Sequence, residues 1–194
     1  MTDYKKSAEN PSARQELLRR LGDDHRHMSV ILDHLKHALT GPEDDDVDWN
    51  LVRDMVGYLQ EYPDMAHHPL EDQLFDRVLD KGLTPAEREL IHLHMAQHVE
   101  IAGATVELAG DVDRILTDIV VPVERLHEDF QRFLDLQQTH MCNEDTHLYP
   151  LAQRLLNPED WVDLLSVSMT HADPMFELKQ GKFASLYDYV NRGD

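Results

Sequence analysis

Along most of the chain, apolar residues recur at steps of three and four, the pattern of helices that bury one face. The spacing predicts helix A over 12–40, helix B over 48–81, helix C over 85–109 and helix D over 122–156. The ends carry matching punctuation. Ser12 and Gln15 stand at capping-box spacing, and Asp48 is a good N-cap for helix B. Gly82 suits the residue just past its end. Thr84, Pro85 and Glu87 supply the cap, first and third positions of helix C. Residues 111–120 either continue helix C past Gly110 or bend away, and Asn157-Pro158 closes helix D. "PEDWVDLLSVSMTH" predicts a shorter C-terminal helix. No window alternates with period two over β-branched residues, which argues against a sheet. The expectation is an all-α fold: an up-down-up-down four-helix bundle over 12–156 and a C-terminal helical extension over 157–194.

The buried stripes are not wholly apolar. On helix A the stripe reads Leu17, Leu21, His25, Met28, Leu32, Leu35, Leu39. On helix B it reads Val52, Val56, Leu59, Pro63, His67, Glu71, Leu74, Val78. Helix C gives Leu90, His94, His98, Ile101, Thr105, Leu108, and helix D gives Leu126, Phe130, Phe133, Gln137, His140, Glu144, Leu148, Leu151, Leu155. Three of the helices therefore carry ionisable pairs one turn apart. Five imidazoles and two carboxylates converge on one core, and burying unpaired carboxylates costs several kcal/mol. Either a polar network or bound metal must compensate, and matched spacing on four helices favours metal. Seven ligands exceed one tetrahedral zinc and suit two cations of higher coordination sharing carboxylates. Imidazole and carboxylate without thiolate point to iron before manganese or zinc.

Charge and composition narrow the partners. The 194 residues hold 38 acidic and 18 basic side chains, a formal net charge of −20. Such a surface repels nucleic acid and anionic membranes. The lone cysteine, Cys142, permits no intrachain disulfide and no thiolate zinc site, and fits a reducing, cytoplasmic setting. No apolar run is long enough to span a membrane, and the N-terminus lacks a signal-peptide core.

At these residues the sequence resembles the hemerythrin family, in particular its bacterial HHE cation-binding members. "DDHRHMSVILDHL", "HHPLEDQLF", "HLHMAQH" and "HMCNEDTHLYP" carry the likeness, which covers about residues 14 to 156. The resemblance implies two non-haem Fe ions, oxo- or hydroxo-bridged, within a four-helix bundle. Glu71 and Glu144 are implied as bridges. His94, His98 and His140 are implied at one iron, and His25 and His67 at the other, where an open position takes a small diatomic ligand, O2 or NO. Relatives serve in oxygen storage, sensing, scavenging or iron handling, and a homodimer is compatible with the reading.

Pro63 and Pro69 should kink helix B, which makes His68 an alternative to His67. Asp145, one residue past Glu144, is the alternative on helix D. A ferritin-like site needs Glu-x-x-His on two helices, and Glu89/His92, Glu124/His127 and Glu144/His147 have that spacing. A di-iron oxidoreductase or peroxidase is the main functional rival, with Cys142 a candidate redox partner. His171 could reach the mouth of the bundle, and "EDDDVD" reads as a solvated loop.

Overall fold

The computed structural model describes residues 12–40, 47–168, 173–176 and 181–191, and every regular element among them is helical. These are α1 (Ala13–Thr40), α2 (Trp49–Tyr62), α3 (His68–Leu79), α4 (Pro85–Leu116), α5 (Val123–Asn143), α6 (Tyr149–Leu155), α7 (Pro158–Ser168) and α8 (Ala184–Val190), with a short 3₁₀ turn at Gly181–Phe183. A π turn at Pro63–His67 joins α2 to α3, and another at Glu144–Leu148 joins α5 to α6. Helix α2 packs on α1 and α4, α4 on α5, and α5 on α1.

The anticipated caps form. The Gln15 amide donates to Ser12 Oγ at 3.3 Å while Gln15 Oε1 accepts from the Ser12 amide at 2.9 Å. Asp48 accepts from the amides of Asn50 and Leu51, each at 3.1 Å. Thr84 and Glu87 complete a reciprocal capping box ahead of α4. Of the two courses open to residues 111–120, α4 takes the first and continues to Leu116, burying Leu108 and Val112 on either side of Gly110. Asp118, with φ 60°, then turns the chain in the left-handed region that Asp tolerates better than most residues.

The prolines of helix B act through a widened turn. Pro69 has no N–H, and its ring would crowd the carbonyl four residues back. The His68 amide reaches back five residues to the Pro63 carbonyl. The same device recurs before Pro150, where the Tyr149 amide bonds the Glu144 carbonyl. Each π turn inserts a residue into the helical count, so side chains beyond it leave the 3.6-residue register.

The apolar core divides into two clusters. One gathers Met28, Leu32, Tyr58, Leu59, Phe130 and Phe133 among others. The other gathers Leu17, Leu21, Leu74, Phe75, Leu148 and Trp161. On α1 the buried Asp24 and His25 fall between Leu21 of the second cluster and Met28 of the first. Helix α7 packs on α1 and α3, with Trp161 and Leu164 buried and Lys81 Nζ 2.8 Å from Asp160 Oδ2. Met175, Phe183 and Leu186 join the first cluster. His171 and residues 43–46 of the acidic loop lie outside the described residues. Among the described residues no helix is long and apolar enough to cross a membrane.

Because the Trp161 indole is buried in the second cluster, Trp161→Ala should destabilise the protein by about 3–5 kcal/mol. Urea unfolding checks this; an unchanged midpoint would mean that α7 contributes nothing to the core.

Candidate metal centre

Six of the seven residues singled out on the stripes meet in the core. His25, His67, Glu71 and Glu144 offer ligand atoms within 4.8 Å of one another, and so do Glu71, His98, His140 and Glu144. The two carboxylates belong to both groups. Glu71 Oε2 lies 3.3 Å from His67 Nε2 and 3.4 Å from His98 Nε2. Glu144 Oε2 lies 3.4 Å from His25 Nε2, and its Oε1 lies 3.1 Å from His140 Nε2 and 3.5 Å from His98 Nε2. His25 Nε2 and His67 Nε2 stand 3.2 Å apart.

The inner atoms converge without satisfying one another. Glu71 Oε2, His98 Nε2, His140 Nε2 and both Glu144 oxygens are buried and make no hydrogen bond. Buried polar atoms without partners are rare and costly in folded proteins. The outer nitrogens are, by contrast, well held. His25 Nδ1 faces Asp145 Oδ1 at 3.1 Å, His67 Nδ1 faces Asp24 Oδ2 at 3.2 Å, and His98 Nδ1 faces Asp72 Oδ1 at 2.9 Å. His140 Nδ1 lies 3.3 Å from Gln97 Oε1. A backing group that takes the outer nitrogen fixes the ring and turns Nε2 inward, the arrangement found at metal-bound histidines. The residues present therefore fit bound metal, with Glu71 and Glu144 common to both groups of potential ligands.

Three other residues named from the sequence lie around the centre. His94 is buried, but its Nε2 faces the His140 carbonyl at 3.3 Å and its Nδ1 has no partner. It stacks on the His140 ring and is not among the grouped ligand atoms. His68 occupies that side of the centre, grouped with His98 and His140 and stacked on His98 at 4.4 Å, with its Nδ1 3.3 Å from Asp64. The π turn explains this: His67 and His68, adjacent in sequence, are both buried, His67 toward His25 and His68 toward His98. Asp145 stands behind His25 as a backing group, leaving Glu144 inside.

Tyr149 carries no mark in the helical pattern. Its hydroxyl donates to Glu71 Oε1 and lies 3.3 Å from His25 Nε2. The second π turn buries it five residues beyond Glu144. Asp24 and Tyr62 were equally hidden: the Tyr62 hydroxyl donates to Asp24 Oδ1 at 2.9 Å, behind His67. The ferritin-like alternative loses its geometry, since Glu89, His92, Glu124, His127 and His147 are exposed. Cys142 is exposed as well.

Electrostatically the centre calls for positive charge. Burial raises the Glu71 carboxyl and Glu144 adds to that, yet His67, His98 and His25 prevail and hold it at about 2. Glu144 is likewise held well below the usual range: burial opposes this, but His140, His25 and His98 outweigh it. Burial pushes His25 down, but Asp145, Glu144 and Glu71 lift it to about 10. Burial also opposes protonation of His98, which Asp72, Glu144 and Glu71 raise to about 11. Burial lowers His68 and His94. Burial, then the Glu71 and Glu144 charges, keeps Tyr149 a neutral phenol. Protons or metal cations can answer this field, and metal would displace protons from the ligands.

The hemerythrin HHE cation-binding domain description matches residues 16–152. The chain belongs to the hemerythrin family. No curated protein matches it significantly. In this hemerythrin-family chain, the His and Glu clusters that could bind metal fall within the matched segment.

The backing carboxylates give a direct check. Asp72→Asn should weaken metal binding about 10- to 100-fold by loosening His98, with the helical circular dichroism unchanged. Titration with a competing chelator measures the affinity; wild-type affinity would show that His98 is not a ligand.

Proposed function

We propose that the centre holds two iron ions and binds a small diatomic ligand, O2 or NO, for sensing, scavenging or storage. The observation that carries this reading is the convergence of unpartnered Nε2 and carboxylate atoms whose outer nitrogens are all braced. Glu71 and Glu144 would bridge the pair. His25 and His67 would complete one ion, and His98, His140 and His68 the other. The His25 side carries fewer imidazoles, which suits an open position for the ligand. The ligand set, rich in imidazole and free of thiolate, supports iron over zinc.

When bound, the metal pair supplies reversible electron transfer to the ligand. The protein residues do the rest. The apolar clusters on either side exclude water, the backing carboxylates orient the imidazoles, and the Tyr149 O–H holds Glu71 by donating to its Oε1.

The ring of contacts among α1, α2–α3, α4 and α5–α6 supports an up-down-up-down order for residues 12–156. The described residues of 157–194 then form an extension docked on it. The single cysteine and acidic surface support a cytoplasmic protein that acts on small molecules and not on nucleic acid.

Metal analysis of purified protein should give close to two iron per chain. The optical spectrum should change on adding air or azide; a colourless, metal-free protein would refute the reading. His140→Ala should bring iron well below two per chain, and unchanged iron would remove His140 from the site.

A further inference from the structure

Among the described residues, seven buried side-chain polar atoms have no hydrogen-bond partner, and six of them belong to Glu71, His94, His98, His140 and Glu144. The seventh is Nε2 of Gln137. Gln137 is 1 % exposed. It lies on the buried face of α5 between Phe133 of the first apolar cluster and His140, one turn ahead of that imidazole. Helical side chains lean toward their own N-terminus, so the His140 ring lies over the turn that Gln137 begins. On α4 the buried polar residue after His98 is Thr105, whose hydroxyl already donates to the Ile101 carbonyl at 2.8 Å. An amide N–H buried without an acceptor costs stability, and an apolar side chain of similar size would avoid that cost among Phe130, Phe133 and Leu134.

The chemistry of the unpartnered atoms separates Gln137 from the rest. Ring nitrogens and carboxylate oxygens carry lone pairs that a cation can take. An amide N–H has none to offer and needs an acceptor. Cations that satisfy the other atoms therefore leave Gln137 unsatisfied. A small ligand carried by those cations, with lone pairs on its outer atom, would satisfy it.

We propose that the Gln137 amide donates a hydrogen bond to the outer atom of the small ligand held at the centre. This rests on the metal reading above and specifies which ligands the centre prefers. A hydrogen bond to a charged acceptor is about twice as strong as one between neutral groups. Gln137 therefore selects ligands whose outer atom bears negative charge and discriminates against those with an apolar outer end. Its place between the aromatic cluster and His140 suits this role, because the neighbouring Phe side chains offer the ligand no competing hydrogen bond.

The test uses full-length, iron-loaded, oxidised protein titrated with azide, followed in the optical spectrum and by the infrared stretch of bound azide. Gln137→Leu and Gln137→Met should keep the wild-type iron content and helical circular dichroism. Each should bind azide about 10- to 100-fold more weakly, with the azide stretch displaced from its wild-type frequency. Thr105→Val removes a different buried polar group and should bind azide as wild type does. Wild-type affinity and frequency in both Gln137 variants overturn the proposal. An equal loss in Thr105→Val overturns it, because general loosening of the core then suffices. Loss of iron in the Gln137 variants overturns it as well, marking the side chain as a metal ligand. Iron-loaded wild type that binds no azide removes this inference and the open position together. A chain that takes up no iron removes the metal reading too, whereas a loaded, azide-binding chain indifferent to Gln137 overturns this inference alone.

Discussion

Two carboxylates with no solvent exposure, Glu71 and Glu144, govern this molecule. They approach the same imidazoles from α3 and from the start of the second π turn, and their like charges must be answered within the core. A buried pair of this kind is tolerable only where positive charge is held in fixed geometry. That demand explains why imidazoles come from every long helical rod around them. It also explains the second ring of acids, Asp24, Asp72 and Asp145, which brace the outer nitrogens. Each backing acid adds negative charge around the site and so increases the demand for a cation at its centre.

The apolar layers give this charged plane its setting. Leu and Phe side chains pack above and below, so the inner carboxylates and imidazoles are buried, while Asp72 and Asp145 at the rim stay in contact with water. Hydrophobic burial thereby holds together residues that would otherwise part. The C-terminal segment extends the same design. Asp173 accepts the Tyr58 hydroxyl and the amides of Met175 and Phe176, and its Oδ2 lies 3.1 Å from His27 Nδ1, which places another carboxylate among aromatic rings outside the ligand cluster.

Much of this was legible in the residue pattern, because it depended on local rules. Caps at Ser12, Asp48 and Thr84, the helical stripes, and the buried pairs His67/Glu71 and His140/Glu144 all follow from spacing within one or two turns. What spacing left open or missed shares a cause: His68 stood only as an alternative to His67, and Tyr149 carried no mark. His68 and Tyr149 reach the core because a π turn shifts the register just before a proline, which a fixed 3.6-residue period misplaces. His94 fits the stripe by count, yet the structure turns it to the His140 carbonyl. Asp24 and Tyr62 matter through a partner on another helix, and no local pattern carries that information.

The widened turns at Pro63–His67 and Glu144–Leu148 set the rotation of everything beyond them. Each is one residue longer than an α-helical path requires. Deleting that residue would rotate all that follows by about 100° about the helix axis. In the first rod such a loss swings Glu71 away from the centre; in the second it swings Tyr149 out. A change of length in an exposed loop leaves the centre where it is, whereas a change in either of these stretches re-aims every side chain that follows it.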